Sequence, residues 1–150
     1  MKELLQIGAA FIACSVFAIL YNAQRSKILL CGLGGAISWI SYIVIATQIT
    51  NIFTISMLSA IVVTAYAEAL ARYTKCPATI YLIPSILPLV PGGSLYYTTN
   101  ALVTNNKAQF AKYGQNTLYA ALGIAIGIVV ISIFVYYFNR YRRSRTNVPS

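Results

Sequence analysis

From residue 4 onward, long apolar runs alternate with short polar interruptions. Five of the runs reach the roughly 20 residues that a bilayer crossing needs: 4–21, 28–47, 52–71, 77–105 and 118–138. The interruptions between the first four are brief, so those helices are expected to be neighbours. The pattern predicts an all-α integral membrane protein of about five transmembrane helices. Residues 1–150 read as one transmembrane domain, ending in a basic cytoplasmic tail at 139–150. The start, Met1-Lys2-Glu3, lacks the basic flank of a signal peptide and reads as the lead into the first membrane helix.

The fourth run departs from a plain span. Pro84, Pro88 and Pro91 are followed at once by Gly92 and Gly93. Each proline lacks an N–H and pushes on the carbonyl four residues back. Unbroken, 77–105 would extend about 43 Å at 1.5 Å per residue, well beyond a hydrocarbon core of roughly 30 Å. The run must therefore bend and cross once, or turn back at Pro91-Gly92-Gly93. Irregular backbone at membrane depth is tolerated only where protein buries it or where it lines a wet cavity, and transporters place substrate sites at such breaks.

Composition and charge narrow the choice. The chain has 150 residues, 59% hydrophobic and only 9% charged, against about a quarter charged in soluble domains. The net charge of +9 is no nucleic-acid signal, because the basic residues sit at the ends of the apolar runs. With one crossing in the fourth run and the N-terminus outside, the inner face carries eight of them, Arg25, Lys27, Arg72, Lys75, Arg140, Arg142, Arg143 and Arg145. The outer face holds three, Lys2, Lys107 and Lys112. A double crossing would erase that bias, so the positive-inside rule favours five crossings with the C-terminus inside. Residues 139–145 then act as a stop-transfer anchor able to touch anionic lipid. Tyr21, Tyr42, Tyr73, Tyr113, Tyr136 and Tyr137 fit an interfacial aromatic belt. The stretch 107–117 reads either as an interfacial amphipathic turn or as a solvated loop.

Few residues are left to carry chemistry. Glu68 is one of two acids, the other being Glu3, and an acid in a membrane helix costs about 2.5–3.5 kcal/mol on insertion scales. It could bind an ammonium or take up a proton; alternatively, Arg72 four residues on could hold it in an ion pair. The prolines, spaced i, i+4, i+7, share a helix face and free carbonyls near Ile80, Pro84 and Leu87, which suit a cation. Ser94 is placed to cap a second helix running through Tyr96, Tyr97, Thr98 and Asn100, whose free N–H groups suit a carboxylate. Pro84, Pro88, Pro91, Gly92, Gly93, Ser94 and Tyr97 are thus candidate substrate-binding residues, with Glu68 and Arg72 as coupling charges. Gly123 and Gly127 form a GxxxG, and Gly32, Gly35 and Ala36 place small residues on the second helix; such faces serve association with a partner or second copy, or internal packing. Ser38, Ser41, Ser56, Ser59 and Thr64 are polar positions on the second and third helices; most such hydroxyls in membranes bond back to their own helix, and none is singled out as a site. Cys14, Cys31 and Cys76 form no CxxC pair and read as free thiols. With no histidine, paired carboxylate or P-loop, the reading is not an enzyme, with no metal and no cofactor.

Two segments carry a resemblance: Ala71-Arg72-Tyr73-Thr74-Lys75-Cys76-Pro77-Ala78-Thr79, and Ile83-Pro84-Ser85-Ile86-Leu87-Pro88-Leu89-Val90-Pro91-Gly92-Gly93-Ser94-Leu95-Tyr96-Tyr97-Thr98. Together they resemble the C-terminal half of the threonine/serine exporter (ThrE-like) family and, more narrowly, its stand-alone small subunits of the YjjB-like kind. The wider pattern, with Gly34-Gly35-Ala36-Ile37-Ser38-Trp39 in the second helix, agrees over about residues 5–138. The resemblance implies an inner-membrane secondary transporter, a proton-driven antiporter moving threonine and serine outward. It also implies a larger partner subunit carrying the complementary half. Two alternatives stand beside it: a succinate-like dicarboxylate exporter subunit, which would want fixed cations such as Arg72 and Lys75 near the break, and a holin-like or structural small membrane protein.

Overall fold

The computed structural model describes residues 2–146, with the side chains of 139 and 142–146 outside the description; residues 147–150 of the expected tail also lie outside it. Six α-helices follow one another: α1 Lys2–Leu20, α2 Arg25–Gln48, α3 Ile52–Thr74, α4 Thr79–Ile86, α5 Gly92–Val103 and α6 Lys107–Thr146, with a 3-10 turn at Leu87–Leu89 after α4. The described residues contain no strand. Four helices, α1, α2, α3 and α6, are each long and apolar enough to cross a membrane. The pair Thr79–Leu89 and Gly92–Val103, bent by 56°, adds a fifth when the two are taken as one broken span. The architecture is that of an all-α multi-pass membrane protein.

Three of the connections share one design. α1, α3 and α5 each end on a left-handed residue, Asn22, Lys75 and Asn105. The next N–H then reaches back to the carbonyl five residues earlier: Ala23 to Ala18, Cys76 to Ala71 and Asn106 to Ala101. This is the Schellman closure, and asparagine tolerates the left-handed region better than most residues. Entry into α3 is fixed by Asn51, whose Oδ1 accepts from the Phe53 N–H at 3.0 Å. In α6, Asn106 Oδ1 accepts from the Gln109 N–H at 3.1 Å.

Lipid chains are as apolar as leucine, so helix association in a membrane depends on close van der Waals packing and small residues. The closest backbone approach at a glycine is α6 on α3. A Cβ on Gly123 would stand 2.5 Å from the Phe53 carbonyl oxygen, and one on Gly127 would stand 2.6 Å from that of Met57. The GxxxG therefore seats α6 on α3 within the chain. Farther along the same pair, the Arg72 guanidinium lies over the Phe138 ring, 5.7 Å from its centroid. Residue numbers rise together on both helices, so α3 and α6 run parallel. Residues 75–106 must then make one net crossing, and the fourth run bends rather than turning back. α2 holds the other side together, with Gly35 against Cys14 of α1 and Gly34 against Ser85 of α4.

Several boundaries move. The fourth run stays helical through Pro84, and the break comes at Val90–Pro91. Residue 90 is extended, at φ −60° and ψ 125°, as expected before a proline. The stretch 107–117 is neither a separate interfacial turn nor a loop, but the opening of the 40-residue helix α6. It packs on α5, with Tyr113 stacked on Tyr97 at 5.1 Å between ring centroids.

Replacing Gly127 by leucine should destabilise the α3–α6 contact by about 1–3 kcal/mol or more, because the facing atoms are backbone. Gly92→Leu, where no atom lies within 4 Å of the added Cβ, should stay within about 0.5 kcal/mol of the parent. Reversible unfolding in mixed micelles measures both.

Candidate functional site

The break opens a cavity of about 230 Å³ lined by residues 88–94 together with Trp39, Tyr42, Ile52, Ser56 and Ala120. Trp39 and Tyr42 stack at 5.4 Å with 9° between their planes, forming one aromatic wall. At the mouth, the Gly92 N–H bonds to the Val90 carbonyl at 2.7 Å and the Leu95 N–H to that of Pro91 at 3.0 Å. Between them, the N–H groups of Gly93 and Ser94 have no backbone partner. These are orphan donors of a helix N-terminus, which favours an anion. No basic side chain lines this cavity.

The predicted site residues separate into groups. Pro88, Pro91, Gly92, Gly93 and Ser94 come together at the cavity. Ser94 is not the cap, however: α5 begins at Gly92 with Pro91 in the capping position, because the ring's fixed φ already suits entry into a helix. Pro84 is buried and lines a different cavity, and Tyr97 turns away onto Tyr113. The freed carbonyls are taken. That of Ile80 accepts from the Cys31 thiol at 3.5 Å, that of Pro84 from the Leu87 N–H, and that of Leu87 from the Val90 N–H at 3.2 Å. The cation-seeking face expected from the proline spacing is therefore spent inside the bundle. Glu68 is half-buried on α3 and, among the described residues, makes no ion pair with Arg72, whose guanidinium is held by Phe138 instead.

Two interior hydroxyls stand out. Thr64 bonds back to the Ala60 carbonyl at 2.7 Å and Ser41 to that of Ile37 at 2.9 Å, as expected of membrane hydroxyls. Ser38 and Ser59 do not: both are fully buried and their Oγ atoms have no partner.

A second cavity of about 410 Å³ lies at the other end of α4, where Asn22, Gln24, Lys27, Cys76, Thr79 and Pro84 are among its lining residues. The Lys27 Nζ donates to the Cys76 Sγ at 2.6 Å. Cys76 also lies 3.3 Å from the Thr74 carbonyl. The hydrogen bond from Lys27 lowers the Cys76 pKa below the ordinary thiol value against the opposing effect of burial. Sequence reasoning counted Lys27 only as a topology charge, because its partner is 49 residues away. Trp39, Tyr42 and Ser56 were missed at the break for a similar reason: nothing local to α2 or α3 marks what α4 brings beside them. No group of His, Cys, Asp and Glu among the described residues is arranged to hold a metal.

Thiolates, not thiols, are the species that alkylate, so Cys76 should react with maleimide at neutral pH faster than an ordinary cysteine. In Lys27→Met the midpoint of its pH–rate curve should move up, as read by peptide mass mapping. Removing the unpartnered hydroxyls, by Ser38→Ala or Ser59→Ala, should leave stability unchanged or raise it by about 1 kcal/mol, since an unsatisfied buried group carries its full desolvation penalty. The same unfolding assay in micelles checks this.

Neither the curated proteins nor the solved structures contain a match to the chain. The family described as "Threonine/Serine exporter, ThrE" matches over residues 6–134. That match covers nearly all of the spanning helices, including the bent pair and the cavity at its break. The chain belongs to the threonine/serine exporter (ThrE) family, a family of membrane transporters.

Proposed function

We propose that this chain is the small subunit of a secondary transporter that exports threonine and serine, and that the cavity at the break holds the solute during transport. The observation that carries this reading is the open mouth at Gly92 and Gly93. Neither glycine has a positive φ and neither has an atom within 4 Å of the Cβ it lacks. Conformation and close packing therefore do not require glycine here, whereas an unobstructed cavity does. The free N–H groups of Gly93 and Ser94 suit a carboxylate, the Ser56 side chain offers a hydroxyl, and the Trp39–Tyr42 wall excludes water from the apolar flank.

The larger subunit supplies the complementary half, and the proton gradient drives antiport with Glu68 as the coupling acid. Its position on a spanning helix without an ionic partner supports that role. The protein sits in the bacterial inner membrane with its N-terminus outside and its C-terminus cytoplasmic, as the gathering of Arg25, Lys27, Arg72 and Lys75 at one end of the bundle supports. The dicarboxylate reading is weaker, because the expected cations are absent from the break: Arg72 is engaged with Phe138.

Efflux of labelled threonine, serine and succinate from cells expressing this chain, with and without the larger subunit, tests the reading. Amino-acid efflux should require both chains, and Glu68→Gln should reduce it by about tenfold or more if that carboxylate couples transport. Gly92→Leu should abolish it while the protein remains folded, because the added side chain enters the cavity rather than the packing. Undiminished efflux in a folded Gly92→Leu protein would remove the break as the solute site.

A further inference from the structure

We infer that the cavity at Lys27 and Cys76 is a binding site for the carboxylate of a small solute, with Lys27 as its fixed counter-charge. The inference rests on the exporter reading only for the identity of the solute.

Lys27 is 8% exposed. A buried ammonium is costly unless a charge or several acceptors compensate it. Here one acceptor is present, the Cys76 sulfur, so two of the three ammonium donors have no protein partner. Among the described residues no carboxylate serves it: Glu3 lies near the far end of α1, and Glu68 makes no hydrogen bond or ion pair with Lys27. With Cys76 as the thiol, a full positive charge is thus held at the wall of a 410 Å³ cavity, with its remaining donors unused.

The surroundings agree with an anion. Thr79 opens α4 at the same wall, and its N–H has no backbone partner, so the helix dipole adds positive potential. Asn22 and Gln24 supply neutral polar groups at the cavity that can serve an ammonium or hydroxyl. Arg25 and Lys75 flank it in the chain and raise the local anion concentration. One buried cation matches one carboxylate, as an amino acid carries. Cys76 reports occupancy, because a bound carboxylate both covers the sulfur and draws away the Lys27 donor that favours the thiolate.

The test uses the full chain in phosphatidylcholine vesicles. The rate of Cys76 modification by N-ethylmaleimide is followed by peptide mass mapping, with threonine, threoninamide or succinate present. Cys14 and Cys31, both fully buried, serve as internal controls. Threonine should slow modification of Cys76 by about fivefold or more, and threoninamide, which lacks the carboxylate, should not. Protection should vanish in Lys27→Gln and persist in Lys27→Arg; stronger protection by succinate would support the site with a dicarboxylate as its ligand. Equal slowing by the amide, protection that survives Lys27→Gln, or no slowing by either carboxylate would overturn the inference. Slowing by added phosphatidylglycerol alone would overturn it too, in favour of a lipid phosphate. The assay needs no transport: protection without efflux would keep this site and reject the exporter reading, and efflux without protection would do the reverse.

Discussion

Every polar backbone group at membrane depth must find a partner inside the protein, and the proline run between 84 and 91 removes three of the donors that would ordinarily serve. The way this demand is met organises the bundle. The Ile80 carbonyl, orphaned by Pro84, is taken by the Cys31 thiol. The Cys31 carbonyl in turn receives the Ser85 hydroxyl at 3.4 Å. This reciprocal stitch requires α4 to lie against α2, and Gly34 is the position that lets Ser85 in. The tighter 3-10 turn at Leu87–Leu89 then uses the Val90 N–H for the Leu87 carbonyl. Beyond the break, the first donors of α5 at Gly93 and Ser94 remain unmet.

The two cavities divide the chemistry between them. At the break there are free N–H groups, a hydroxyl and an aromatic wall, but no charge. At the opposite end of α4 there is one buried cation beside a thiol. Pro84 of α4 borders the second cavity and Pro88 of the 3-10 turn the first, so the helix walls one and the turn that follows it walls the other. Between the ends, Ser38 and Ser59 keep two unpaired hydroxyls in the core of α2 and α3. An apolar bundle built only for stability would have no use for them.

The five apolar runs, the bend in the fourth and the single net crossing were all legible in the sequence, because each follows from length, proline chemistry and the distribution of charge. The start of α5 was not: a serine at 94 makes a plausible cap, but proline at 91 already holds a helical φ and starts the helix earlier. Nor was the fate of Arg72. Spacing of i, i+4 permits a pair with Glu68 without compelling it, and a ring on α6 captured the guanidinium instead. Lys27 was legible as a charge but not as a site, since its role depends on a sulfur that only the return of the chain after α3 places beside it. The same limit hid the place of Tyr42 in the cavity wall.

The parallel seat of α6 on α3 has a consequence for biosynthesis. The face of α3 around Phe53 and Met57 is shaped to receive Gly123 and Gly127, yet those glycines are made about 50 residues after α3 is complete. At translation rates of about 5–20 residues per second, that is a wait on the order of several seconds. Throughout it α3 stands in the bilayer with its closest-packing surface open to lipid or to a neighbouring helix. The bundle is therefore sealed by its last element, and a chain stopped short of α6 would leave the ribosome with its most specific interface still vacant.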